Sequence, residues 1–385
     1  MKKRIVILGS SGSIGLSALD IVDQHPEELE VVGLSVHSNL DLLSKQIEKY
    51  HPGYVAITDE NKFNEFRRDD YPGTELLGFE NGLSRLSSLE SAETILNAVV
   101  GAAGLVASLE TVSAGKRLAL ANKESMVIGG QLINEKAEET GAEIIPVDSE
   151  HSAIWQALFS GKRKEVKKII LTGSGGPFRE LPLEEFKNIT KEQALHHPTW
   201  NMGPKITIDS ATMMNKGLEI LEAVSLFEIP IDKIDVVIHP QSIIHSMVEF
   251  VDSSIIAQMS HPDMRLPIVY ALFYPYRVDN DYGTLDLAGL SQLTFGEPDL
   301  EKFSLLKLAF QIARDGGTYP AVYNAANEIA VGAFLRDTID FCMIPDIVIN
   351  TVNRHESIAN PTLEDILSAD RWGRRTAEEI SGVTF

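Results

Sequence analysis

Arg4-Ile-Val-Ile-Leu-Gly9-Ser-Ser-Gly12-Ser-Ile-Gly15 decides the fold. A short apolar run rich in β-branched residues ends in glycine, and a helical pattern then continues to residue 21. Glycines at such a junction permit a tight turn and let backbone N–H groups at the helix N-terminus approach a pyrophosphate. The same residues would serve an ordinary glycine-rich turn, but the strand before and the helix after favour the nucleotide reading. The spacing is GxxGxxG, not GxGxxG.

Outward from this loop, strand-like runs at 31–34, 54–57, 94–100, 117–121 and 142–147 alternate with helical patterns at 40–49, 62–68, 105–114 and 130–139. Such alternation predicts βαβ units, a parallel doubly wound sheet and ligands beyond the carboxyl ends of its strands. The second strand ends in Ser35-Val36-His37-Ser38-Asn39, without the acid that would hold a ribose 2′-hydroxyl or repel a 2′-phosphate. That favours NADP over NAD.

After about residue 230 the pattern changes. Residues 235–238, 242–251 and 254–259 read as strands of a more open sheet, with a hairpin turn at Asp252-Ser253. Residues 275–300 mix Pro, Gly and Asp with short apolar pieces and read as a linker, whereas helical signals dominate from 303 onward, at 304–315, 320–337, 345–352 and 363–380.

Of 385 residues, 44% are hydrophobic and 23% charged, which fits a globular protein of two or three domains. No run approaches the ~20 apolar residues of a membrane span, and the short basic start, ending in glycines, does not read as a signal peptide. The net charge of −21 disfavours nucleic acid and anionic membranes, because non-specific binding to either needs clustered cations. The single cysteine, Cys342, excludes an intramolecular disulfide and a cysteine-based zinc cage and fits a reducing cytoplasm. Its apolar surroundings predict a packed thiol.

Several groups carry chemistry. Asp148-Ser149-Glu150-His151 follows the fifth of these strands; two acids one residue apart suit a hard divalent cation, although Asp148 or Ser149 would equally cap the next helix. Residues 206–208 read as a strand leading into Asp209-Ser210-Ala211-Thr212-Met213-Met214-Asn215-Lys216-Gly217-Leu218-Glu219. On a helix Asn215, Lys216 and Glu219 share one face, and a surface Lys216–Glu219 ion pair is the plainer alternative. The strand 168–172 ends in Gly173-Ser174-Gly175-Gly176-Pro177, which offers backbone donors and a hydroxyl to a phosphate. His196-His197-Pro198-Thr199-Trp200-Asn201-Met202-Gly203-Pro204 is either a connecting loop or a lid. Lys123, in Asn122-Lys123-Glu124, would hold a substrate oxygen or pair with Glu124.

Taken in this order, Gly-Ser-x-Gly-Ser-Ile-Gly, Ala-Asn-Lys-Glu-Ser, Pro-Val-Asp-Ser-Glu-His, Leu-Thr-Gly-Ser-Gly-Gly-Pro-Phe, His-Pro-x-Trp-x-Met-Gly and Asp-Ser-Ala-Thr-Met-Met-Asn-Lys-Gly-Leu-Glu closely resemble the 1-deoxy-D-xylulose 5-phosphate reductoisomerases. The resemblance runs from residue 5 into the final helices. It implies an α/β chain with an amino-terminal doubly wound Rossmann-type NADPH domain (1–149) and a central α+β catalytic and dimerisation domain with an open sheet (150–274) and a lid at 197–204. A linker (275–300) and a carboxyl-terminal helical domain (301–385) complete it.

The resemblance also implies residue roles. Asp148, Glu150 and Glu219 would bind Mg²⁺ or Mn²⁺, with Co²⁺ as a further possibility. Ser174, Ser210, Asn215 and Lys216 would hold the substrate phosphate, with His197 close by. Lys123 and Ser149 would contact other substrate oxygens, together with the metal-binding Glu150 and Glu219, and Trp200 and Met202 would sit on the lid. Lys123, Asp148, Glu150 and Glu219 form the implied catalytic set. Gly9, Ser11, Gly12, Ser13, Ile14, His37, Ser38, Asn39, Asn122, Glu124 and Gly203 would line NADPH. Family members commonly carry Lys or Arg just before the asparagine matching Asn39. Ser38 stands there in this chain, leaving His37 to replace the cation. A cytoplasmic homodimer turning over a small phosphorylated sugar is the implied whole. A simple NADP-dependent reductase on the same nucleotide fold would need neither three metal carboxylates nor an anion site.

Overall fold

The computed structural model describes residues 2–200 and 202–383. Its contacts divide into two compact units. The first takes in the chain up to Ser125, Gln131–Ser149 and Asp263–Tyr282; the second takes in Met126–Gly130, Glu150–Pro262 and the chain from Gly283 on.

In the first unit, β1 (Lys3–Leu8), β2 (Leu29–Val36), β3 (Tyr54–Ile57), β4 (Glu75–Leu76), β5 (Thr94–Asn97), β6 (Arg117–Leu120) and β7 (Ile144–Pro146) form one seven-stranded sheet. Its order is β4-β3-β2-β1-β5-β6-β7 and every neighbouring pair is parallel. Helices cover both faces of such a sheet, so its strands are almost wholly apolar. Accordingly, the last four residues of β1 are buried, and Val6, Leu8, Ala56, Leu86, Ile95 and Ala107 pack into one core cluster. The strand order reverses at β1, which has β2 on one side and β5 on the other. Open α/β sheets bind their ligands beyond such a reversal.

The loop leaving β1 requires its glycines. Gly9 has φ +81°, and a Cβ there would sit 2.6 Å from the Ala98 carbonyl oxygen. A Cβ on Gly15 would come within 2.5 Å of Ser10 Cα. Helix Ser13–Gln24 starts after Gly12 without a side-chain cap, which leaves its first N–H groups open to an anion. Helix Arg265–Phe273 packs on helix Ser13–Gln24 within this unit, where Arg265 Nη1 donates to Asp20 at 3.0 Å.

The second unit is built on a mixed sheet of β8 (Val166–Gly173), β9 (Ile234–Ile238), β10 (Ile244–Phe250) and β11 (Ile255–Met259), in the order β11-β10-β8-β9. β8 and β9 run parallel, and β10 is antiparallel to both β8 and β11. The β10–β11 hairpin turns at Asp252-Ser253 as the sequence predicts, with Ser254 donating to the Asp252 carboxylate through its N–H and its hydroxyl. Helices Ser304–Asp315, Tyr319–Leu335, Met343–Asn353 and Leu363–Ser381 belong to the same unit. Among the described residues no helix is long and apolar enough to cross a membrane.

Three local expectations fail. Residues 206–208 are not a strand but the middle of helix Pro204–Ala211. The Ile-Thr-Ile triplet favours extended chain locally, yet Pro204 begins the helix and Thr207, Ile208 and Ala211 bury one helical face. The helix expected at 130–139 begins earlier, at Lys123, where the Asn122 side chain accepts from the Ser125 N–H, and it kinks at Gly129. Cys342 is exposed, not packed. It stands just before helix Met343–Asn353, and the neighbouring Phe341 and Ile344 take the buried positions.

Candidate active site

The nucleotide-facing residues of the sequence reading gather at the carboxyl ends of β1, β2 and β6. Gly9, Ser11 and Ile14 are half-buried, and Gly12 and Ser13 are exposed in the loop after β1. His37, Ser38 and Asn39 are exposed just after β2. Asn39 is already engaged as the cap of helix Leu40–Tyr50, accepting from the Leu42 N–H at 3.1 Å, and His37 Nδ1 lies 3.0 Å from the Thr58 hydroxyl. Asn122, buried after β6, donates to the Val99 and Gly101 carbonyls and to Glu124. Those bonds lock the loop that follows β5 against the one that follows β6.

Lys123 and Asp148 also belong to the first unit. Both are buried, and their side chains form an ion pair. The pair follows the carboxyl ends of β6 and β7, so Lys123 reaches beyond its sequence neighbour Glu124 to an acid 25 positions away. Asp148 directly precedes helix Ser149–Leu158, which brings Glu150 into its first turn.

Helix Met214–Phe227 carries the second cluster. Glu219 is 1% exposed; one of its carboxylate oxygens accepts from Asn215 Nδ2 and the other from Lys216 Nζ. The i,i+3 and i,i+4 spacing read from the sequence therefore holds, but the ion pair is buried and not at the surface. Lys216 reaches further, donating to Glu150 Oε1 at 2.7 Å and to the Thr172 carbonyl at 2.5 Å. Burial alone would lower the Lys216 pKa; Glu150 and Glu219 more than reverse this and hold it above that of an ordinary lysine. Two carboxylates converging on one buried ammonium make a place that requires a cation. Hard oxygen donors of this kind suit a divalent ion, so the residues fit Mg²⁺.

The loop after β8 lies against this cluster. A Cβ on Gly173 would sit 2.8 Å from Lys216 Cε, and one on Gly176, where φ is +70°, would sit 2.5 Å from the Ser210 carbonyl oxygen. Glycine thus lets the loop close onto both Ser210 and Lys216. Between them, Ser174 Oγ accepts from the Gly176 N–H at 3.2 Å and lies 3.1 Å from His197 Nε2. His197 Nδ1 accepts from the Thr199 and Trp200 N–H groups at 3.1 and 2.9 Å. The imidazole proton is therefore on Nε2, pointing at Ser174, and the Ser174 hydroxyl hydrogen is left to donate elsewhere.

Burial, reinforced by Arg179 and His196, pushes the His197 pKa down to about 4. An unfolded chain takes up this proton near 6.5, so between those values the unfolded state binds more protons and stability falls as pH drops. Because the ring is half-exposed, the effect is reduced by solvent screening. His197→Gln is expected to lose less melting temperature than the parent between pH 7 and pH 4.5. Equal losses would show that His197 does not carry this acid sensitivity.

Within the lid segment, Trp200 and Met202 are half-buried and Asn201 lies outside the described residues. The Trp200 ring meets His245 edge-on at 6.0 Å between centroids. Gly203 stands at the start of helix Pro204–Ala211, which has no side-chain cap. Three features escaped the sequence reading: the Thr172 carbonyl under Lys216, His245 against Trp200, and the Asp209 carboxylate that accepts from Asn327 Nδ2 at 2.7 Å. The Asp209–Asn327 bond joins residues 118 positions apart, a separation at which no local spacing signal exists.

Three family models match along the chain. The one described as 1-deoxy-D-xylulose 5-phosphate reductoisomerase matches residues 5–130, and the two described as C-terminal domains of that reductoisomerase match 144–227 and 259–376. Among curated relatives, the 1-deoxy-D-xylulose 5-phosphate reductoisomerase of Chlorobaculum tepidum is 49% identical over 382 residues, covering 99% of this chain and 100% of the relative. That of Chlorobium limicola is 50% identical over 382 residues with the same coverage. Among solved structures, the reductoisomerase of Zymomonas mobilis in complex with NADPH matches with a TM-score of 0.92 at 40% identity over 99% of each chain. A second, described as DOX-P reductoisomerase in complex with NADPH, fosmidomycin and magnesium, gives 0.92 at 39% identity, over 99% of this chain and 98% of the other. With the glycine loop, the carboxylate–lysine cluster and the Ser174 loop in place and relatives matching end to end, the chain belongs to the 1-deoxy-D-xylulose 5-phosphate reductoisomerase family.

Proposed function

We propose that this chain catalyses the NADPH- and divalent-metal-dependent isomerisation and reduction of 1-deoxy-D-xylulose 5-phosphate to 2-C-methyl-D-erythritol 4-phosphate, in non-mevalonate isoprenoid precursor biosynthesis. One observation carries the reading: Glu150 and Glu219 converge on Lys216 beside a glycine loop that presents Ser174. A plain reductase needs no such combination of metal carboxylates and anion cradle.

Asp148, Glu150 and Glu219 hold Mg²⁺ or Mn²⁺, with Co²⁺ as a substitute. An ion bound there would supply a Lewis acid to stabilise negative charge on the substrate's oxygens. NADPH supplies the hydride that reduces the resulting branched aldehyde phosphate. Ser174, with its hydroxyl hydrogen still to give, joins Ser210, Asn215 and Lys216 in anchoring the phosphate, and His197 orients Ser174. That anchoring places the reacting carbons without touching the bonds that change. Lys123 and Ser149 meet the substrate's other oxygens, and Trp200 and Met202 cover it and exclude water.

The nucleotide lies along Gly9, Ser11, Gly12, Ser13, Ile14, His37, Ser38, Asn39, Asn122 and Glu124, with Gly203 completing its lining. In this division residues 1–149 serve the cofactor and 150–274, with the lid at 197–204, serve catalysis and pairing. Residues 275–300 link these to the helical 301–385. The apolar edge strand β11, where Ile255 is 51% exposed, supports pairing of two copies through the second unit. A lone cysteine supports a reducing cytoplasm.

The direct test is NADPH oxidation with 1-deoxy-D-xylulose 5-phosphate, with and without a chelator. Turnover is expected only when metal is present. Since no acid ends β2, kcat/KM is expected to be clearly higher with NADPH than with NADH. Equal values for the two cofactors would show that His37, Ser38 and Asn39 do not read the 2′-phosphate.

A further inference from the structure

Lys216 stands in both halves of the site just described, and its hydrogen bonds do not allow it to serve both at once. An ammonium has three N–H donors. Here they go to Glu150 Oε1, the Thr172 carbonyl and Glu219 Oε2, and the residue is 4% exposed. No donor remains for a phosphate. Withdrawing the ammonium toward Ser174 would take a positive charge away from two carboxylates, Glu150 and Glu219, which is costly in a low-dielectric interior.

We propose that Lys216 is an exchangeable cation: it neutralises Glu150 and Glu219 until a divalent ion takes over that task, and only then is free to bind the substrate phosphate. The path is short. Thr172, which the ammonium now contacts, is two residues from Ser174, and the lysine stem already passes Gly173 where any Cβ would obstruct it at 2.8 Å. Metal and phosphate thus bind with positive coupling, and linkage makes the coupling reciprocal. A bound divalent ion and an anchored phosphate favour each other through the lysine they share, not through the chemistry of the reaction. This inference rests on the phosphate and metal roles proposed above.

The test is calorimetric and needs no turnover. Inorganic phosphate is titrated into the full chain with and without saturating Mg²⁺, and Mg²⁺ is titrated with and without saturating phosphate. Each ligand is expected to tighten the other by about fivefold or more, by the same factor in both directions. In Lys216→Gln the two factors should collapse toward one. Phosphate that binds the parent equally well with and without Mg²⁺ overturns the coupling while leaving the phosphate site intact. Coupling that persists undiminished in Lys216→Gln also overturns it, because direct attraction between the two ligands would then suffice. Phosphate that fails to bind under every condition removes the anion site and the coupling together. The parent titrations decide the matter by themselves should the variant not fold.

Discussion

Glu219→Gln is expected to lower turnover by at least about 10³-fold, ~4 kcal/mol of transition-state stabilisation, while the chain stays folded. Glutamine keeps the size of the side chain and removes the charge that a hard cation needs. Lys216 would retain Glu150 and the Thr172 carbonyl, so the buried ammonium is not orphaned and the melting temperature should fall by only a few degrees. NADPH binding, which the proposed function assigns mainly to residues around β1, β2 and β6, should be unchanged. Asp148→Asn is expected to abolish turnover equally but to cost more stability, because it takes the countercharge from the buried Lys123. Mg²⁺ titration of each variant, read alongside thermal melts and kinetics, checks the result. Full activity of both variants in chelator would overturn the metal assignment.

Trp200→Ala should likewise separate catalysis from stability. The residue is half-buried; its backbone N–H donates to His197 Nδ1, and its indole ring meets His245 edge-on. Truncating a core tryptophan typically costs ~3–5 kcal/mol; a side chain that covers the substrate costs far less in the free protein. The expected outcome is a fall in kcat/KM of about 10²-fold with the melting temperature nearly unchanged, because an uncovered site admits water and holds the substrate less exactly in place. Large destabilisation with near-normal catalysis by the folded fraction would make Trp200 a structural residue and end the lid reading.

What local sequence could determine, it did. The β1–glycine–helix junction was legible because the turn depends on residues next to one another, and Gly9 and Gly15 are required by atoms a few residues away or on the adjacent strand end. The shared face of Asn215, Lys216 and Glu219 was legible because helical periodicity alone places them together. The alternation of strands and helices up to residue 147 announced the parallel sheet for the same reason.

Tertiary structure decided what that periodicity cannot reach. Ile206-Thr207-Ile208 has strand propensity, but burial of Thr207, Ile208 and Ala211 on one side makes it helix. Cys342 looked packed among apolar neighbours, yet the start of helix Met343–Asn353 turns it outward. Lys216 read as a partner of Glu219 three residues on. Only the fold adds Glu150, 66 positions away, and the Thr172 carbonyl, 44 away. The residue types of the site were therefore written in the sequence, but the sharing of one buried ammonium among them arises from burial and long-range closure, which no local spacing encodes.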